Sequence, residues 1–562
     1  MKKIKIAGKK INKRLFMNLG IVFSLIIIIV CIFNIAPNYI RNEIKDKTNL
    51  IINNNNVTAR LKKDVVIDES GNIYLSKEDV SNFFDKYITY DNNTKKIVTT
   101  SDTKVASMKL EDKNIKVNGT ETKISATAIE KNGTIYLPFS EMKNVYNIDL
   151  NYIKDTDRVV IDSLDREFIT VNSRKNLKVK YKEKNLSSTV DKVKKGDELV
   201  WISKNDNGWA KVRTKNGKIG YIKDKYTANK IYVRQKMEES NKVEGKINLV
   251  WDYYSEYVKA PNRQGTEIEG VNVVSPSFFS LEKEGKGNII ENVGEDGINY
   301  INWAKENNYK IWPMVSNNSM KETTSEIMRD EELREELIEN IVKLAVKYEL
   351  DGINIDFENM YEQDKKLFSR FIIELAPRLK DCGIVLSVDV TAPDGSETWS
   401  LCFDRNVIAD VADYIIFMAY DQYGISSKKE GTTAGYNWVE TNINKFLNQE
   451  AVEKEKLILG IPLYTRLWKI SQDNVNSSVV NMNKIEDSLP SDIEKKWDDT
   501  LKQYYVEYEK NGNIYKMWIE DEKSITEKLN LIKKYELAGA AFWEKDRETE
   551  EIWNLVKKSL EE

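Results

Sequence analysis

The chain has 562 residues, a net charge of −3, 41% hydrophobic and 10% aromatic residues, and no histidine. This length exceeds one ordinary core, so several domains are expected, and the near-balanced charge argues against a nucleic-acid partner. Without histidine, Ser-His-Asp and Cys-His catalysis are excluded, and any acid–base chemistry falls to Asp, Glu, Tyr or Lys. The three cysteines, Cys31, Cys382 and Cys402, have neither metal-site nor disulfide-framework spacing, so free thiols and no metal are expected.

Residues 1–17 are strongly basic, with seven Lys or Arg and no acid in the first 16. Leu19 to Ile35 carries no charge and, with its flanks, approaches the roughly 30 Å of a bilayer's hydrocarbon. Residues 18–37 are expected to be an uncleaved membrane anchor, with the basic tail cytoplasmic and the rest of the chain outside. A cleaved signal peptide is the competing reading, but "FNIAPN" offers no small-x-small cleavage site. The cell membrane is therefore the expected location, with a single pass and an extracytoplasmic catalytic domain. Residues 38–56, including "NLIINNNN", read as a polar linker.

An internal repeat follows. "GNIYLSKEDVSNFFDKYITYDNNTKKIVTT" (71–100) and "GTIYLPFSEMKNVYNIDLNYIKDTDRVVID" (133–162) align without a gap, so that Tyr74 matches Tyr136, Leu75 matches Leu137 and Val98 matches Val160. Each copy predicts a strand, a short helix and a hairpin, and the two are expected to pack as one domain, 57–164. The segment resembles the copper amine oxidase N-terminal-like domain of exported bacterial proteins. That resemblance implies no metal here, because the segment lacks His and Cys.

Residues 166–232 alternate in short strands between turns such as "KKGD", "NDNGW" and "KNGKIGY". With Trp209, Gly220 and Tyr221, the segment resembles a bacterial SH3 domain. The resemblance implies either a binder of peptidoglycan stem peptides or a small spacer barrel.

From 245 to 562, eight strand candidates alternate with helical patterns: "KINLVWDYY", "GVNVVSPSFF", "KIWPMVS", "DGINIDFE", "GIVLSVDVTA", "DYIIFMAYD", "KLILGIPLY" and "LAGAAFWE". Leu333, Leu337, Ile341, Leu344, Ala345 and Tyr348 form an apolar stripe before "DGINIDFE". Leu367, Phe368, Phe371, Ile372, Leu375 and Leu379 form one after it, with Gly383 as a C-terminal cap. This rhythm predicts an α/β fold, a (β/α)8 TIM barrel with insertions. On a parallel barrel strand, Ile353, Ile355 and Phe357 would face the helices. Asn354, Asp356 and Glu358 would then point inward, with Glu358 nearest the C-terminal mouth where barrels place their chemistry. Inward carboxylates are costly unless they serve a purpose.

The strand resembles the D-x-x-D-x-D-x-E signature of glycoside hydrolase family 18, the chitinase-like barrels, with Asp351, Asp356 and Glu358 in place and Asn354 at the second position. "MAYDQYG" resembles the family's M-x-Y-D, giving Met418, Tyr420 and Asp421, and "GAAFWE" its strand-eight tryptophan, Trp543. The resemblance implies retaining, substrate-assisted hydrolysis beside an N-acetylhexosamine. Glu358 would be the general acid and then the base, and Asp356 would hold the acetamido N–H. Tyr420 would donate to the acetamido oxygen, Asp421 would contact the sugar, and Trp543 would form its apolar floor. Asp351 and Met418 join the substrate-binding set by motif, and Tyr464 and Arg466 by their place at the end of strand seven. Trp399, Trp438, Trp468 and Trp518 are further stacking candidates.

The form "DGINIDFEN" resembles the spore-cortex and wall-lytic branch of the family. A peptidoglycan N-acetylglucosaminidase is therefore the first expectation, chito-oligosaccharide hydrolysis the second and non-hydrolytic glycan binding the third. Asn354 is expected to relieve Asp356 of a like charge and donate to it, so that Asp356 stays ionised to lower pH. On that reading Asn354→Asp would move the acidic limb of the pH–rate profile upward.

Overall fold

The computed structural model describes residues 47–234, 243–255, 257–472 and 474–561. The expected basic tail (1–17) and anchor (18–37) lie outside the described residues; among the latter, no helix is long and apolar enough to cross a membrane. The chain divides into two compact units, the first holding residues up to 99 and 106–238, the second residues 100–105 and those from 239 on.

In the first unit the two repeat copies pair antiparallel through Ile73–Ser76 and Thr134–Pro138, with Leu75 opposite Leu137. The internal symmetry thus passes through a pair of equivalent residues. In the first copy, Ser76 caps the helix Lys77–Phe83 by accepting from the Asp79 N–H. The second copy forms turns rather than the expected helix. Its counterpart of Ser76 is Pro138, which has no oxygen to cap with, and only isolated bonds such as Tyr146 N–H to Met142 O remain. The expected linker 38–56 also needs correction. Asn49–Ile52 is a strand paired in parallel with Arg158–Ser163, and Leu50 is fully buried. The asparagine run behind it masked a short apolar strand.

Residues Phe168–Arg234 contribute seven antiparallel strands around Val171, Val179, Val193, Leu199, Ala210, Val212 and Ile222. Gly220 is required where its strand crosses that of Lys180: a Cβ there would lie 2.6 Å from the Lys180 carbonyl oxygen.

The second unit is a closed barrel. Its strands are β1 (Ile247–Asp252), β2 (Val273–Pro276), β3 (Lys310–Ile311 and Met314–Ser316, interrupted around Pro313), β4 (Gly352–Asp356), β5 (Val385–Val390), β6 (Tyr414–Met418), β7 (Leu457–Pro462) and β8 (Gly539–Trp543). Each pairs in parallel with the next, and β8 closes on β1 through Leu249 opposite Ala541. Ile353, Ile355 and Phe357 are fully buried among the surrounding helices, as their alternation predicts. The inner layer includes Leu249, Trp251, Trp312, Met314, Ile416 and Ala541. The two expected helices span Glu331–Lys347 and Lys365–Asp381. The second ends at Gly383 (φ +73°), whose left-handed backbone lets its N–H reach the Lys380 carbonyl. Between β7 and β8 an antiparallel sheet is inserted, its first strand Tyr464–Ser471 rising directly from the barrel mouth.

Candidate active site

Period-two alternation sorts the opening strand into layers. Asp351 stands just before β4, at the end away from the mouth. It takes an ion pair from Lys310 Nζ at 2.8 Å and the Ile311 N–H at 3.1 Å. Glu358 lies seven positions further along, about 23 Å at about 3.3 Å per residue. The placement of Asp351 among substrate-binding residues is therefore corrected: it ties β3 to β4 at the closed end of the barrel.

Asn354 is fully buried, one layer below Asp356. Its Oδ1 accepts from Trp251 Nε1 at 2.9 Å, and its Nδ2 donates to Asp389 Oδ1 at 2.8 Å and Ser387 Oγ at 3.1 Å. The expected bond to Asp356 is absent from this set, so Asn354 supports the site from below rather than acting in catalysis.

Glu358 sits just past β4, half-buried. Its main chain is clamped by Asn317, whose Oδ1 accepts the Glu358 N–H at 3.0 Å and whose Nδ2 donates to the Glu358 carbonyl at 2.8 Å. The Asp356 and Glu358 carboxyls lie in hydrogen-bonding contact, and Asp356 Oδ1 is completely enclosed. Tyr420, on the same inward phase as Ile416 and Met418, feels the charges of Asp389, Asp356 and Glu358. Met418 lies one layer deeper and is 6% exposed. Asp421, at φ +52°, accepts from Tyr464 Oη at 2.9 Å and from Arg466 Nη2 at 3.2 Å. Trp543 ends β8 half-buried, its ring 5.8 Å from Trp251 and 6.3 Å from the exposed Tyr253.

Of the other tryptophans, Trp468 is fully buried with Nε1 donating to Gly431 O, and the half-buried Trp438 packs on Phe417 against the core. Trp399 is exposed, and Trp518 pairs with Tyr505 in the inserted sheet.

Burial dominates the electrostatics. Asp356 is pushed up to about 8, by desolvation first and then by Asp389. Glu358 is held well above the usual carboxylate range by desolvation, Asp356 and Asp421. Asp389 is held up mainly by its own burial. The expectation that Asp356 stays ionised to lower pH is therefore reversed: removing an acid at 354 does not isolate Asp356, because β5 supplies another one. Sequence reading missed Asp389 and Asn317. The same alternation applied to "VLSVDV" would have found Asp389, since Leu386, Val388 and Val390 face the helices. Asn317, in a loop, gave no periodic signal.

Between the ordinary pKa of 3.8 and about 8, the folded protein keeps a proton on Asp356 that the unfolded chain releases. A raised folded pKa gives a contribution fully present below the unfolded value and lost as pH rises through the folded one. Asp356→Asn removes that loss. Its melting temperature should gain on the parent's between pH 4 and pH 8, at roughly 2–4 °C per kcal/mol. An unchanged difference by differential scanning fluorimetry would mean that Asp356 carries no retained proton.

Residues 249–548, more than half of the chain, match the model for Glycosyl hydrolases family 18, and residues 51–161 match that for the Copper amine oxidase N-terminal domain. The uncharacterized glycosylase YvbX of Bacillus subtilis is 26% identical over 301 residues, covering 51% of this chain and 84% of its own length. The cortical fragment-lytic enzyme of Bacillus anthracis is 23% identical over 291 residues, covering 50% of this chain and 66% of its own. Among solved structures, a chitinase from Chromobacterium violaceum shares the fold, with a TM-score of 0.50 at 22% identity, covering 56% of this chain and 99% of that one.

Proposed function

We propose that this chain, which belongs to glycosyl hydrolase family 18 and is a glycoside hydrolase, cleaves the β-1,4 link after N-acetylglucosamine in peptidoglycan with retention of configuration. The observation that carries the mechanism is the contact between Asp356 and Glu358. Retaining enzymes with a carboxylate nucleophile hold their two carboxyls about 5–5.5 Å apart, on either side of the anomeric carbon. Two carboxyls that touch leave no room for a sugar carbon between them. The nucleophile is then the substrate's own acetamido oxygen.

In this reading Glu358, kept protonated by its surroundings, gives its proton to the glycosidic oxygen as the C–O bond breaks. The acetamido oxygen closes on the anomeric carbon to form an oxazolinium ion, while Asp356 accepts the acetamido N–H and offsets the charge. Water then opens the ring and returns its proton to Glu358. Tyr420 donates to the acetamido oxygen, Asp421 contacts the sugar with Tyr464 and Arg466 behind it, and Trp543 lies beneath the ring. No cofactor takes part.

Peptidoglycan is favoured over chitin by the likeness to a cortical fragment-lytic enzyme. The SH3-like residues 166–232 and the basic, then apolar N-terminal segment suit an enzyme kept at the cell's own wall, anchored in the membrane with its barrel outside. Digestion of purified peptidoglycan, followed by borohydride reduction and mass spectrometry, should give fragments with reduced N-acetylglucosamine at the new end. Reduced muramic acid would reassign the cut, and faster turnover of chitin oligomers would reassign the substrate.

A further inference from the structure

The whole-chain charge of −3 conceals a local one. Residues 168–234 hold eighteen Lys or Arg against six Asp or Glu, a net charge of +12, so the rest of the chain carries −15. Solubility needs no such imbalance, and self-repulsion works against keeping it in a small compact sheet.

Strand register locates part of the excess. Val179, Val193, Ala210, Val212 and Ile222 point into the core of this sheet, so their neighbours along each strand point outward. On that outer side Lys180 lies beside Tyr221, Tyr221 beside Lys211 and Lys211 beside Ser203, one row across four strands. Two residues along, Lys178 lies opposite Lys192, and Lys223 lies opposite Trp209. Five lysines thus share one sheet face, and like charges directly opposite on paired strands are destabilising. Among the described residues none of the five forms an ion pair, whereas nearby Lys204 pairs with Asp224 and Arg213 with Asp162. Glu183, whose charge reaches Tyr221, is engaged by Asn205 Nδ2.

We infer that this face binds a linear polyanion of the cell wall, a chain of polyols or sugars joined by phosphodiesters. The inference rests on the place at the wall proposed above and extends it to the first unit of the chain. Lysines on neighbouring strands stand about 4.8 Å apart, and those two strands apart about 10 Å. Cations repeated in this way match charges repeated along a polymer, whereas a stem peptide offers a few carboxylates at one point. An ammonium holds phosphate as a point charge without a fixed orientation, which suits a flexible chain. Tyr221, half-buried between Lys180 and Lys211, gives the apolar side of a polyol or sugar a ring to pack on. Trp209, 6% exposed, lies beneath Lys223 with the ammonium 4.2 Å from its ring centre, which holds that charge in place.

Sedimentation of the full-length Glu358→Gln protein with purified bacterial walls tests this, because that variant leaves the wall uncut. Walls that keep their phosphodiester polymer should bind at least about tenfold more tightly than the same walls stripped with hydrofluoric acid, which spares peptidoglycan. Soluble poly(glycerol phosphate) should compete, and raising salt from about 50 to about 200 mM should weaken binding by about tenfold or more. Reversing Lys178, Lys192 and Lys211 together to Glu should cost at least about tenfold in affinity without lowering the melting temperature. Reversing Lys195, Lys225 and Lys230 instead changes the net charge equally, in two turns and on the edge strand Thr227–Arg234, and should cost about threefold at most. Equal binding to stripped walls would make peptidoglycan the ligand, and equal losses from both triple variants would leave only diffuse charge. A first triple variant that matches parent on walls, and loses only its preference for phosphatidylglycerol over phosphatidylcholine vesicles, would assign the face to the membrane. Each of these results overturns the inference. Binding of the soluble polymer does not require hydrolysis, so failure of the parent to cut peptidoglycan would overturn the proposed function and not this result.

Discussion

Glu358→Gln is expected to lower kcat on peptidoglycan by about 10²–10⁴-fold while leaving glycan affinity and thermal unfolding near parental values. The substitution preserves shape, and the main chain at 358 is held by Asn317 rather than by the Glu358 side chain. What disappears is a transferable proton. Desolvation, Asp356 and Asp421 favour the neutral carboxyl, so the parent should remain active through neutral pH and decline only as Glu358 ionises on the alkaline side. Burial alone, without catalysis, would also raise the pKa, so a second measurement separates the two. A dinitrophenyl glycoside of N-acetylglucosamine has a leaving group that needs no protonation. The loss caused by Glu358→Gln should shrink sharply in the bond-breaking step with that substrate. Peptidoglycan turnover within a few-fold of parent would remove Glu358 from the acid role.

What could be read from the sequence depended on periodicity. β4 declared itself because apolar and polar residues alternate for its whole length, and the helices on either side carry their own stripes. Those patterns placed Asp356 and Glu358 at the mouth. The motif that contains Asp351 counts along the chain and says nothing of height, so it grouped a residue at the closed end with two at the open end. Asp389 was hidden for the opposite reason: its strand is read as a buried apolar run, in which one inward carboxyl looks incidental until the β4 register places it beside Asp356. Tyr464 and Arg466 stand just past the end of β7, as expected, because a strand end is visible as a change of pattern. Their common target, Asp421, depends on a left-handed backbone turn that the sequence does not announce. The helix expected in the second repeat failed on one residue, Pro138 in place of the Ser76 cap.

Asp356→Asn is expected to lower kcat by about 10²–10³-fold, the scale on which removing one oriented electrostatic partner acts. An amide can still meet the acetamido group, but it cannot offset the positive charge of the oxazolinium ion. The decisive result is what happens when azide is added. If Asp356 were itself the nucleophile, its removal would open space on the far face of the sugar, and azide would restore the rate and give the glycosyl azide of inverted configuration. In the substrate-assisted route the acetamido oxygen still occupies that face. Azide can enter only after the ring has closed, from the side Glu358 served, so any azide product keeps the starting configuration and the first step is not rescued. A thiazoline analogue of N-acetylglucosamine should bind the parent far more tightly than it binds Asp356→Asn, because it presents the ring that Asp356 stabilises. The touching carboxyls of Asp356 and Glu358 favour this outcome, since they leave the anomeric carbon no place between them. Recovery of activity with an inverted azide product would instead make Asp356 an ordinary covalent nucleophile.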